Sequence, residues 1–135
     1  MTPVQPIPSF SLLIVEDDNA ACKVIVRMVA MEFPDCTIYT AENGVQGVEL
    51  FKRFTPDIVI TDVNMPVMDG IEMVRKIRSI SADATCIVVT AYSDKDILDE
   101  FKKIGVCAYL LKPLDFQGLF ASIKKCSLEI KQQGK

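Results

Sequence analysis

Short runs of apolar, β-branched residues alternate with longer amphipathic segments five times along the chain, a rhythm that predicts five strands, each followed by a helix. The strands are predicted over 10–15, 36–41, 57–61, 84–89 and 107–111. The third holds Ile58, Val59 and Ile60 without polar alternation, as a strand covered on both faces should. The first helix is predicted over 19–31, with Val24, Met28 and Met31 on one face, and the second over 45–54, with Val48, Leu50 and Phe51 inward. Asp69-Gly70 introduces the third helix, which runs to about Arg78. Ser93-Asp94-Lys95-Asp96 reads as an N-cap with an acidic first turn, and the helix it starts ends at Gly105, a suitable left-handed C′ residue. Asp115 caps the last helix, on which Leu119, Ile123, Cys126 and Ile130 fall along one face. This alternation predicts an α/β domain, a doubly wound five-stranded parallel sheet over 10–130, with an N-terminal extension at 1–9 and a polar tail or linker start at 131–135.

Composition narrows the class. A chain of 135 residues, 50% hydrophobic and 24% charged, suits one domain with a true core. Fifteen Lys and Arg against eighteen Asp and Glu leave a net charge of −3, which argues against direct nucleic-acid binding by this domain. No apolar run approaches the roughly 18 residues of a membrane span. The first ten residues carry three prolines and no Lys or Arg, unlike a signal peptide, so a cytoplasmic location is expected. Five cysteines, at 22, 36, 86, 107 and 126, are odd in number and scattered through apolar segments, and they read as buried core thiols without redox function rather than as a disulfide frame. The absence of His excludes imidazole metal sites, Ser-His-Asp triads and Cys-His pairs.

Right-handed crossovers would place every strand-to-helix loop on one edge of the sheet, where ligands bind. Those loops hold Glu16-Asp17-Asp18, Asp62-Val63-Asn64, Thr90-Ala91-Tyr92 and Lys112-Pro113. Asp18 and Asn19 are read as caps of the first helix. Asp17 and Asp62 end two neighbouring apolar strands, and carboxylates brought that close call for a hard divalent cation, Mg²⁺ first. A carboxylate beside such an ion can attack a phosphoryl group and form an aspartyl phosphate. Lys112 offers a charge and Thr90 a hydroxyl for the phosphoryl oxygens. Taken singly, each has a plainer use: Lys112 as a solvated loop residue, Thr90 as a strand residue.

Together these residues resemble a response-regulator receiver domain. The likeness spans about residues 10–130 through Leu13-Ile14-Val15-Glu16-Asp17-Asp18, the segment from Asp57 through Asp62-Val63-Asn64-Met65-Pro66-Val67-Met68-Asp69-Gly70, Ile87-Val88-Val89-Thr90-Ala91, Ala108-Tyr109 and Leu111-Lys112-Pro113. The resemblance implies a flavodoxin-like (βα)5 fold with strand order 2-1-3-4-5, two helices on one face and three on the other. It implies Asp62 as phosphoacceptor, Glu16, Asp17, Asp62 and the Asn64 carbonyl as Mg²⁺ ligands, Thr90 and Lys112 as phosphoryl contacts, and a cis peptide at Lys112-Pro113. It also implies a switch, in which Thr90 moves toward the phosphoryl group and Tyr109 turns inward, reshaping the face of the fourth helix, fifth strand and fifth helix.

The resulting expectation is a signalling module of a two-component phosphorelay, not an enzyme with a separate substrate, that assists its own phosphorylation and dephosphorylation. Its partners would be a sensor histidine kinase or phosphotransfer protein, an output domain or effector, and a second copy of the chain on the switching face. Glu16 stands where many receivers have Asp, a change that lengthens the arm and keeps the charge. Tyr92 would border the path of the hydrolytic water, so slow autodephosphorylation is expected, with Tyr92→Ala shortening the phosphoryl lifetime. Three other readings fit less well. A haloacid-dehalogenase phosphatase wants Asp-x-Asp where Asp62-Val63-Asn64 offers an amide. A flavodoxin would find its flavin phosphate repelled by Glu16-Asp17-Asp18. A degenerate receiver used only for binding would be expected to have lost the acceptor or the lysine, and both are present.

Overall fold

The structure is a computed structural model that describes residues 9–91 and 95–133. Most of the 1–9 extension, the end of the 131–135 tail, the expected cap at Ser93-Asp94, and Tyr92 lie outside the described residues. The elements alternate as β1 (Ser11–Val15), α1 (Asn19–Glu32), β2 (Thr37–Ala41), α2 (Gly44–Phe54), β3 (Ile58–Thr61), α3 (Gly70–Ile80), β4 (Thr85–Thr90), α4 (Lys95–Ile104), β5 (Ala108–Leu111) and α5 (Phe116–Gln133). All four strand pairings are parallel, and the order across the sheet is β2-β1-β3-β4-β5. α5 reaches Gln133, into the stretch read as a tail.

Strand alternation divides the core in two. Leu13, Val15, Val59, Cys86 and Val88 face α2, α3 and α4, where Val48, Phe51, Met73, Ile77 and Phe101 complete one cluster. Leu12, Ile14, Ile58, Ile60, Ile87 and Val89 face α1 and α5, where Ile25, Val29, Leu119, Ile123 and Cys126 complete the other. β3 is buried along its whole length, as its unbroken apolar run requires.

Two expectations are corrected. Helix α1 turns Ile25 and Val29 to the sheet, while Val24 and Met31 are exposed. Nearly every position from Val24 to Val29 is apolar, so periodicity alone does not fix the face; the β-sheet surface selects it. The cysteines also divide: Cys107 and Cys126 form a disulfide across 19 residues of sequence, and Cys22, Cys36 and Cys86 are free thiols. The fold sets the start of β5 beside the middle of α5, a proximity that sequence spacing does not reveal.

Helix ends carry their own signals. Asp18, Asn43 and Asp69 cap α1, α2 and α3 by accepting backbone N–H bonds in the first turn. Gly105 has a φ of 86° just past α4, the left-handed conformation expected of it.

Candidate functional site

Hydrogen bonds continue the sheet ladder past the strand ends and fix three polar side chains at one edge. The Glu16 N–H donates to the Ala41 carbonyl at 3.0 Å, the Asp62 N–H to Val15 at 3.2 Å, and the Lys112 N–H to Thr90 at 2.8 Å. Glu16 and Asp62 thus leave adjacent strands β1 and β3, and Lys112 arrives from β5 across the end of β4. The Lys112 ammonium donates to Glu16 Oε1 at 3.2 Å and to Asp62 Oδ2 at 3.0 Å, bridging the two acids. The other Asp62 oxygen accepts from the Val63 N–H at 2.7 Å. One carboxylate oxygen from each of Glu16, Asp17 and Asp62 lies within 4.8 Å of the others.

The three acids differ in exposure. Glu16 is 4% exposed, Asp62 is half-buried and Asp17 faces solvent. Burial raises the Glu16 carboxyl above the usual carboxylate value, against the opposing pull of the Asp18 N–H and of Lys112. Burial alone would lower the Lys112 ammonium, but the hydrogen bonds and charges of Asp62 and Glu16 outweigh it and hold it above its ordinary value. Such a cluster of hard oxygen donors beside one ammonium suits a small divalent cation such as Mg²⁺.

The remaining expected residues fall around this centre. Thr90 ends β4 and is fully buried, while Asn64 is exposed two residues past Asp62. Tyr109, in β5, is half-buried with its ring centroid 5.8 Å from that of Phe101 in α4. The Lys112–Pro113 peptide is cis. Asp18 stands outside the acid cluster, its Oδ1 accepting from the N–H groups of Ala20 and Ala21 at 3.0 and 3.1 Å.

Two features of the β3–α3 loop shape the site. A Cβ on Gly70 would lie 2.1 Å from the Asp62 carbonyl oxygen, so only glycine lets α3 begin against the backbone of the acid. The signal for it was Asp69-Gly70, read as a turn and not as a close approach. Val67 has a φ of 72°, and the Met68 N–H donates across it to the Pro66 carbonyl at 2.8 Å, a γ-turn of the rarer, strained kind.

The fold and this edge site define a receiver, and the chain belongs to that family: the response regulator receiver domain model matches residues 12–124. It is a response regulator receiver of two-component signalling. Among its relatives, sporulation initiation phosphotransferase F of Bacillus subtilis (strain 168) is 28% identical over 113 residues, covering 84% of this chain and 90% of that protein. The uncharacterized transcriptional regulatory protein YesN of the same organism is 30% identical over 125 residues, 92% of this chain but only 34% of YesN. The chain therefore spans about a third of that longer regulator. In the crystal structure of the CheX–CheY–BeF3–Mg²⁺ complex from Borrelia burgdorferi, a chain 27% identical superposes with a TM-score of 0.80, covering 86% of this chain and 87% of that one.

Proposed function

We propose that Asp62 accepts a phosphoryl group from a phosphohistidine of a sensor kinase or phosphotransfer protein, with Mg²⁺ bound by Glu16, Asp17, Asp62 and the Asn64 carbonyl. The observation that carries this reading is the Lys112 ammonium, which donates to both Glu16 and Asp62 inside the acid cluster. In the transfer, an Asp62 oxygen forms a bond to phosphorus while the phosphorus–nitrogen bond of the donor breaks, and the released imidazole takes up a proton. Bound Mg²⁺ supplies charge neutralisation on the phosphoryl oxygens. Lys112 holds a second positive charge toward them, and Thr90 offers its hydroxyl. The Borrelia burgdorferi relative, whose complex carries BeF3 and Mg²⁺, supports the assignment by analogy.

Phosphorylation then favours a second packing of Thr90 and Tyr109, read out on the face of α4, β5 and α5 by an output partner or by a second copy of the chain. The domain assists its own phosphorylation and the later hydrolysis of the acyl phosphate, and turns over no separate substrate. We place it in the cytoplasm, where such kinases present their phosphohistidines; among the described residues no helix is long and apolar enough to cross a membrane.

Intact-mass measurement after incubation with acetyl phosphate tests the assignment. Wild type should gain one phosphoryl group only with Mg²⁺, and Asp62→Asn should gain none. A gain that persists in Asp62→Asn overturns the choice of acceptor.

A further inference from the structure

The Cys107–Cys126 disulfide closes a covalent ring through the face just assigned to signalling. Cys107 immediately precedes β5, and its N–H donates to the Cys86 carbonyl at 2.8 Å. Cys126 lies in the middle of α5 and is fully buried. The ring between them encloses β5, the Lys112–Pro113 turn and the first half of α5, and therefore contains both Tyr109 and Lys112. Cys107 is half-buried and lines a cavity of about 400 Å³ bordered by Arg78, Asp83 and Glu129, which offers a small reagent an approach to one residue of the pair. The free cysteines are poorer competitors: Cys86 is sealed in the core with its thiol pushed up to about 11 by burial, and burial also raises Cys22 and Cys36.

We propose that Cys107 and Cys126 are a reversible thiol–disulfide site whose oxidation holds β5 against α5 and weakens binding of a phosphoryl group at Asp62. The proposal rests on the phosphoacceptor reading above. In a reducing compartment, a disulfide that persists is more often a redox device than a structural staple. The oxidant is a low-molecular-weight disulfide such as oxidised glutathione. The Cys107 thiolate attacks one of its sulfurs and expels one thiolate. The Cys126 thiolate then attacks the Cys107 sulfur and expels the second. The protein loses two electrons, the reagent gains them, and the two protons end on the two released thiols. The bond is formed in the packing of β5 and α5 described above, so it favours that packing over the second one that phosphorylation selects. Any ligand that favours another must bind the oxidised protein less well, by the same factor that it favours reduction.

Calorimetric titration of the full chain with beryllofluoride in Mg²⁺, after equilibration with oxidised or with reduced glutathione, tests this. Alkylation under denaturing conditions should count three thiols in the oxidised sample and five in the reduced one. Beryllofluoride should bind the oxidised protein about fivefold or more weakly. Cys107→Ser and Cys126→Ala should each bind like the reduced wild type in either buffer, and the half-buried Cys107 provides the variant that leaves the core intact. Five thiols after oxidation, or equal or tighter binding by the oxidised protein, overturns the proposal while leaving the phosphoacceptor reading in place. No binding in either redox state overturns that reading and this inference with it.

Discussion

At Glu16, one methylene more than aspartate carries a carboxylate into a nearly closed position where a lysine and a backbone N–H meet it. Its raised pKa has a definite consequence for stability. The folded protein holds the Glu16 proton more tightly than the unfolded chain, where the ordinary value of 4.5 applies, so this group's contribution falls as pH rises from 4.5 through the folded pKa and is flat beyond it. Urea denaturation without Mg²⁺ should show wild type losing stability relative to Glu16→Gln across that window, whereas a difference independent of pH would refute the assignment. Residue types were legible here and their environments were not. Asp17, Asp62 and Lys112 could be named from their places after apolar strands, but that Glu16 is sealed while Asp17 is exposed, and that one ammonium bridges two acids, depends on side-chain paths that spacing does not encode.

Among the elements, the β3–α3 connection couples packing to chemistry most directly. The Gly70 N–H donates to the Val63 carbonyl at 2.8 Å, which ties the start of α3 to the residue that follows Asp62. Gly70→Ala would push a methyl group into the Asp62 carbonyl. We expect a loss of about 2–3 kcal/mol in chemical denaturation, typical of overpacking against an atom that cannot yield, together with slower gain of phosphoryl mass at Asp62. Wild-type stability in the variant would show that the loop gives way freely. Element types and order could be read from the sequence because the three central strands are buried runs and the helices amphipathic. The inward face of α1 could not, since its apolar residues cover too much of the helix. The partner of Cys107 could not either, because only the packing of α5 back against the sheet brings Cys126 to it.

For the whole molecule, Arg78 ties together parts that the sheet alone leaves separate. From α3 its Nε donates to the Ala84 carbonyl at 2.8 Å, and its two terminal nitrogens donate to Ile104 at 3.0 Å and Gly105 at 2.6 Å. It thereby closes the C-terminal end of α4, joins it to the approach to β4, and fixes the connection into β5. An arginine among the charged residues of an amphipathic helix gave no sign of this, since the carbonyls it bonds belong to the main chain. Arg78→Met should lower stability by about 2–3 kcal/mol and speed amide exchange around Val106 and Cys107 in hydrogen-exchange mass spectrometry. Unchanged exchange there would assign the guanidinium to solvent.

The strand order leaves β2 and β5 as the outer strands, five and four residues long. A neighbouring chain that tried to add itself to either margin would find only a few main-chain groups to pair with, too few to reward a continuous intermolecular sheet. Brevity at the margins is thus a guard against fibre growth.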